Sequence, residues 1–145
     1  MAITTAMCTS FKSELLGGTH DLDTDSIKLA LIKASPTGTY GTATTNYSDV
    51  TGNSDEATGT GYTAGGQVLD SVTISLDGTT AIVDITDEVF TSSTISADGC
   101  IIYNAGASNA AIAVIDFGGT QTSTNGDYTI QFPAADASNA IIRIA

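Results

Sequence analysis

The chain has 145 residues, 41% of them hydrophobic, and sets 16 acidic side chains against 4 basic ones for a net charge of −12. With Lys12, Lys28, Lys33 and Arg143 as its cations it can track few phosphates, which argues against nucleic acid and against an anionic membrane as partners. The length suits one domain over 1–145, and the chain is too hydrophobic for a disordered one.

The first residues show no basic region followed by a long apolar core, so no export signal is expected. No apolar run reaches the roughly 18 residues of a membrane span. Met7, Phe11 and Leu15 recur every fourth residue with Cys8 beside them, which predicts a helix over about 4–16 in an N-terminal segment 1–18. Thr4 or Thr5 would cap its start, and Gly17-Gly18 would end it. A helix this short is marginal alone, so its apolar stripe needs the chain's own sheet or a neighbouring subunit.

His20 followed by Asp21 pairs a base with an acid but makes no complete catalytic set, because no activated nucleophile is evident; His20 is expected in the turn after the helix. Asp21, Asp23 and Asp25 form an Asp-x-Asp-x-Asp run. An EF-hand loop starting there would require Gly and Glu where the chain has Ser26 and Ile32. The run reads as a solvated acidic turn, with a cation site of another kind left open.

From residue 26 the pattern is β. Eight segments alternate or carry short apolar runs between turn signals: 27–34, 61–69, 71–77, 80–86, 99–104, 110–117, 126–132 and 139–144. Ile27, Leu29 and Leu31 share a face of the first, and Val72, Ile74 and Leu76 share a face of the third. Asp77-Gly78 is a hairpin signal. The polar stretch 35–59 is a long loop, functional or free to reach a neighbour, and holds Tyr40 and Tyr47. Gly59 to Gly66, around Tyr62, matches no phosphate-binding pattern; its glycines imply a bulge or a close backbone approach. Cys8 and Cys100 read as buried free thiols rather than a disulfide.

These elements predict an all-β fold, a jelly-roll-like antiparallel β-sandwich over 26–145 with a short N-terminal α-helix. No catalytic, cofactor-binding or metal-ligating residue is assigned, and the chain is not expected to be an enzyme. The residues open to interaction are the helix stripe Met7, Phe11 and Leu15 and the loop aromatics Tyr40, Tyr47 and Tyr62.

Several stretches also resemble small virion proteins of tailed bacteriophages: Met1 to Leu16, Lys28 to Ile32, Gly59 to Gly66, Ile102 to Asn104, Asp116 to Gly118, Ile130 to Asp136 and Ala140 to Ala145. The resemblance spans nearly the whole chain. It implies a capsid decoration, or cement, protein that binds the major capsid protein, stabilises the assembled head and acts as a homo-oligomer, dimer or trimer. It implies assembly in the bacterial host cytoplasm and a place on the capsid surface of the virion. It supplies no individual contact residues. Two other readings stand beside it. One is a head–tail or tail component of the virion. The other is a carbohydrate-binding β-sandwich that uses Tyr40, Tyr47 and Tyr62.

Overall fold

The computed structural model describes residues 2–145. The strands are β1 (Ala2–Ile3), β2 (Ala6–Met7), β3 (Ile27–Lys33), β4 (Thr39–Tyr40), β5 (Gln67–Val68), β6 (Thr73–Asp77), β7 (Thr80–Asp84), β8 (Glu88–Ser93), β9 (Ser96–Asn104), β10 (Ala110–Thr122), β11 (Gly126–Ile130) and β12 (Ile142–Ile144). Helix α1 (Thr9–Leu16) follows β2, and a five-residue helix α2 (Ser48–Gly52) lies in the long loop. The architecture is all-β, as expected, with antiparallel sheets and a short N-terminal helix. The sheets run β2-β10-β9-β3-β5, β12-β7-β6 and β11-β8, and β1 pairs with β4 in parallel.

The core is built on β3, β9 and β10. Leu29, Leu31, Ile32, Ile101, Ile102, Ile112 and Val114 are fully enclosed, together with Phe11 and Phe90. Both faces of β3 are covered, since Ala30 and Ile32 are as buried as Leu29 and Leu31. A central strand buried on both sides reads as a continuous apolar run, which is what Leu29 to Ile32 is.

β8–β9 and β10–β11 are the two arms of one bent ribbon. Between the pairs Ser96↔Thr122 and Ser93↔Gly126, Ile95 and Ser123 exchange backbone hydrogen bonds of 2.9 and 3.3 Å. The ribbon therefore leaves the five-stranded sheet and continues as β8–β11, the way strands turn a corner between layers.

Three expectations are corrected. The helix begins at Thr9, not near residue 4, with Cys8 at its N-cap and no side-chain cap. The preceding residues are drawn into strand pairing: the Thr4 N–H donates to the Tyr40 carbonyl at 2.9 Å, and Ala6 and Met7 oppose Val114 and Ala113. Tertiary pairing outweighs the weak local preference for helix. Met7 thus lies on a strand and not on the helix stripe. The predicted strand 61–69 shrinks to β5, because Gly65 and Gly66 have φ of +91° and +70°. At Gly66 a Cβ would collide with the Leu29 carbonyl, so this is the close backbone approach that the glycines implied. The third correction is β6, whose five residues are all exposed although Ile74 and Leu76 alternate as a buried face would.

The Tyr128 hydroxyl is buried with no hydrogen-bond partner among the described residues. An unsatisfied buried hydroxyl costs about 1–3 kcal/mol. Tyr128→Phe is therefore expected to match or exceed the wild-type melting temperature in a thermal scan; a drop of several degrees would show that the hydroxyl is bonded.

Candidate interaction surfaces

The residues singled out from the sequence turn out to be mostly internal. Phe11 is fully buried in its own chain, its ring 4.9 Å from that of His20. Met7 and Leu15 are half-buried and packed on the same core. The exposed apolar residue of α1 is Leu16, at 91%. The helix stripe is accordingly an anchor to the chain's own sheet.

The loop aromatics are structural as well. Asp55 is completely buried and collects donors from the start of the long loop. The Thr37 N–H donates to both of its oxygens at 3.0 Å, the Gly38 N–H at 2.7 Å and the Tyr40 hydroxyl at 2.6 Å, while Lys33 Nζ lies 3.0 Å from Oδ1. Burial alone would raise the Asp55 pKa. The Thr37 amide, the Tyr40 phenol, the Gly38 amide and the Lys33 ammonium outweigh it and hold the carboxyl well below the usual range. Tyr40 itself is pushed up to about 12, by burial first and then by its bond to Asp55.

The adjacent Glu56 forms a second junction. The hydroxyls of Tyr47 and Tyr62 donate to it at 2.6 and 2.8 Å, and the Gly65 N–H at 2.6 Å. Tyr47 stacks on Tyr103, with centroids 4.6 Å apart and planes 11° from parallel. Burial, then the bond to Glu56, raises the pKa of both Tyr47 and Tyr62. Loop 35–59 is therefore fastened to the sheet by neighbouring carboxylates and is not free to reach out. Of the three tyrosines, Tyr40 is buried and the hydroxyls of Tyr47 and Tyr62 are bonded internally to Glu56.

His20 is a third junction. Its Nε2 lies 2.9 Å from Glu14 Oε2, and its Nδ1 lies 3.1 Å from Asn104 Nδ2. Asn104 Nδ2 also donates to Asp25 Oδ2 at 2.6 Å, and Asn104 Oδ1 accepts from the Ala107 N–H. The amide orientation fixes Nδ1 as the acceptor and puts the ring proton on Nε2, toward Glu14. His20 thus ties α1 to β9, with no hydroxyl or thiol among its partners. Asp25 accepts from Asn104 and from the Asp21 N–H, and these bonds lower its pKa. The Asp21–Asp25 run closes on itself as a turn, and among the described residues no cluster of three acidic, His or Cys side chains is placed to hold a metal ion.

Both cysteines are free and fully buried. Burial, then the charges of Asp49 and Glu14, pushes the Cys8 thiol up to about 11, and burial raises Cys100 as well. A thiol reagent should react slowly with the native protein and titrate two groups in denaturant. A mass two protons lower, reversed by reductant, would instead reveal a disulfide.

The open apolar surface is one that the sequence pattern placed in the core. Strand register puts Ile74, Val83 and Ile142 side by side on one face of the β12-β7-β6 sheet, with Leu76, Ala81 and Ile144 as the next row. Val83 and Ile142 are buried, but Ile74, Leu76 and Ile144 are 50%, 73% and 53% exposed. These are three of the five large apolar side chains left exposed among the described residues. No protein-family model, no curated protein and no solved structure matches the chain.

Proposed function

We propose that the chain is a structural protein of a tailed-phage virion, a decoration or cement protein that binds the assembled major capsid protein and stabilises the head. The observation that carries this reading is the open apolar row of Leu76, Ala81 and Ile144, with Ile74 beside it. Clustered exposed apolar side chains mark surfaces that a partner covers. The resemblance of the sequence to small virion proteins supplies the identity of the partner. Assembly as a homo-oligomer in the host cytoplasm fits two free thiols, since that compartment keeps them reduced.

A partner that binds only the assembled shell stabilises it by mass action. Heads stripped of the protein should break at a lower temperature and regain their stability when it is added back. Leu76→Asp, at an exposed position, should melt like wild type yet bind shells at least about tenfold more weakly, as loss of a central apolar contact does. Equal head stability with and without the protein, or wild-type protein that fails to bind purified shells, would overturn the cement role. Ring stoichiometry at the neck or along the tail would move the assignment to a head–tail or tail component.

A further inference from the structure

We propose that the outer edge of the β10–β11 arm is a strand-addition site for an extended polypeptide segment of neutral or basic character. The inference goes beyond the virion reading and does not depend on it. On one edge this arm pairs with β9 and β8. On the other, β2 reaches only Ala113 and Val114, and β11 has no second neighbour. Among the described residues, the edge from Ile115 to Ile130 therefore carries no strand. An unpaired edge is a template for another chain unless it is blunted. Here the blunting is confined to residues 116–119: the Asp116 N–H is taken by Thr5 Oγ1, Asp116 Oδ1 takes the Gly118 N–H, and Gly118 and Gly119, at φ of +75° and +149°, interrupt the ladder between Asp116 and Gln121.

A cleft of about 610 Å³ runs along this edge, within the range of built binding sites, roughly 300–1,000 Å³. Residues Asp127 to Pro133 line it without a gap. Side chains of a strand alternate between faces, so an unbroken run of residues can line one cleft only where the strand turns its edge toward it. Half-buried Ile115, Phe117, Phe132 and Ile141 supply apolar surface along its length. An added strand would draw affinity from main-chain bonds to the edge and specificity from alternate side chains seated on these four. The cleft lining has one charged residue, Asp127, and none of the four cations. In a chain of net charge −12 this selects against an acidic segment and for a neutral or basic one.

The test is an immobilised array of random dodecapeptides probed with the intact chain, followed by backbone-amide NMR with the best binder. Binders should alternate apolar residues, avoid Pro and be poor in Asp and Glu. Binding should shift and protect amides within residues 120–122 and 127–131. Methylating alternate peptide nitrogens on the edge facing the chain should weaken binding by about tenfold or more, because each methyl removes a ladder hydrogen bond. Phe117→Ser with Phe132→Ser should weaken it similarly, the amide spectrum reporting whether the fold is kept. No binders, binders rich in acid, amide shifts elsewhere, or equal affinity of the N-methylated peptide would each overturn the proposal. So would a cello-oligosaccharide that shifts these amides where no peptide does.

Discussion

Phe11→Ala should melt roughly 6–20 °C below wild type, while Lys12→Ala should melt within about 2 °C of it. Truncating a buried Phe costs about 3–5 kcal/mol, and at this chain length each kcal/mol moves the midpoint by about 2–4 °C. An exposed substitution stays within about 0.5 kcal/mol. The ring of Phe11 is fully enclosed and packs on His20, which itself bonds Glu14 and Asn104. Helix α1 has eight residues, no side-chain cap and no acidic residue in its first turn, so little of its stability is local. Phe11 and the His20 junction are what hold it to β10 and β9. Because the ring is buried in its own chain, the loss should appear in the isolated protein, without any partner. Wild-type melting of Phe11→Ala would mean that α1 is fastened some other way.

Strand positions were legible wherever apolar residues alternate or run together, as in β3, β7, β9 and β10. They were not legible where the inward positions are polar. In β8 the buried residues are Glu88, Phe90 and Ser93, with Ser92 at φ +48° shifting the pattern by one. No hydrophobic period survives that arrangement. The two-residue strands β1, β2 and β4 are set by long-range pairing and leave no local trace. Alternation also fails to tell which strand overhangs: Ile74 and Leu76 read like Val83 and Ile85, but only the latter pair is covered.

The tyrosines show the same limit for function. Tyr40, Tyr47 and Tyr62 in a polar loop look like a contact surface, because nothing in the sequence says that Asp55 and Glu56 will receive their hydroxyls. Those bonds span 6 to 15 residues and depend on how the loop returns across β3, where Lys33 N–H donates to the Asp55 carbonyl and Ala57 N–H to the Leu31 carbonyl. The open row on β6, β7 and β12 needs strand register to be seen, and the β10–β11 edge is visible only once it is known which strands stop short of it.

Asp55→Ala should be as damaging as Phe11→Ala, at about 3–5 kcal/mol, and should change the acid limb of the stability curve. The substitution takes the charged acceptor away from the Thr37 and Gly38 amides and from the Tyr40 hydroxyl, and hydrogen bonds to a charged group are worth about 1.5–3 kcal/mol each. Lys33 suffers less, since its side chain is 35% exposed and its Nζ also donates to the Ser54 carbonyl. Lys33→Ala is therefore the milder control, within about 1 kcal/mol. The pH dependence follows from the direction of the Asp55 shift. Its pKa in the folded chain is below the ordinary 3.8, so the unfolded chain binds the proton more readily. The contribution is complete above the unfolded value and is lost progressively as the pH falls below 3.8 toward the folded one. Urea melts between pH 7 and pH 2 should show wild type losing stability on the acid side, with Asp55→Ala starting lower and falling less steeply below pH 4. Parallel curves for the two proteins would show that Asp55 is not the carboxylate that couples this fold to acid.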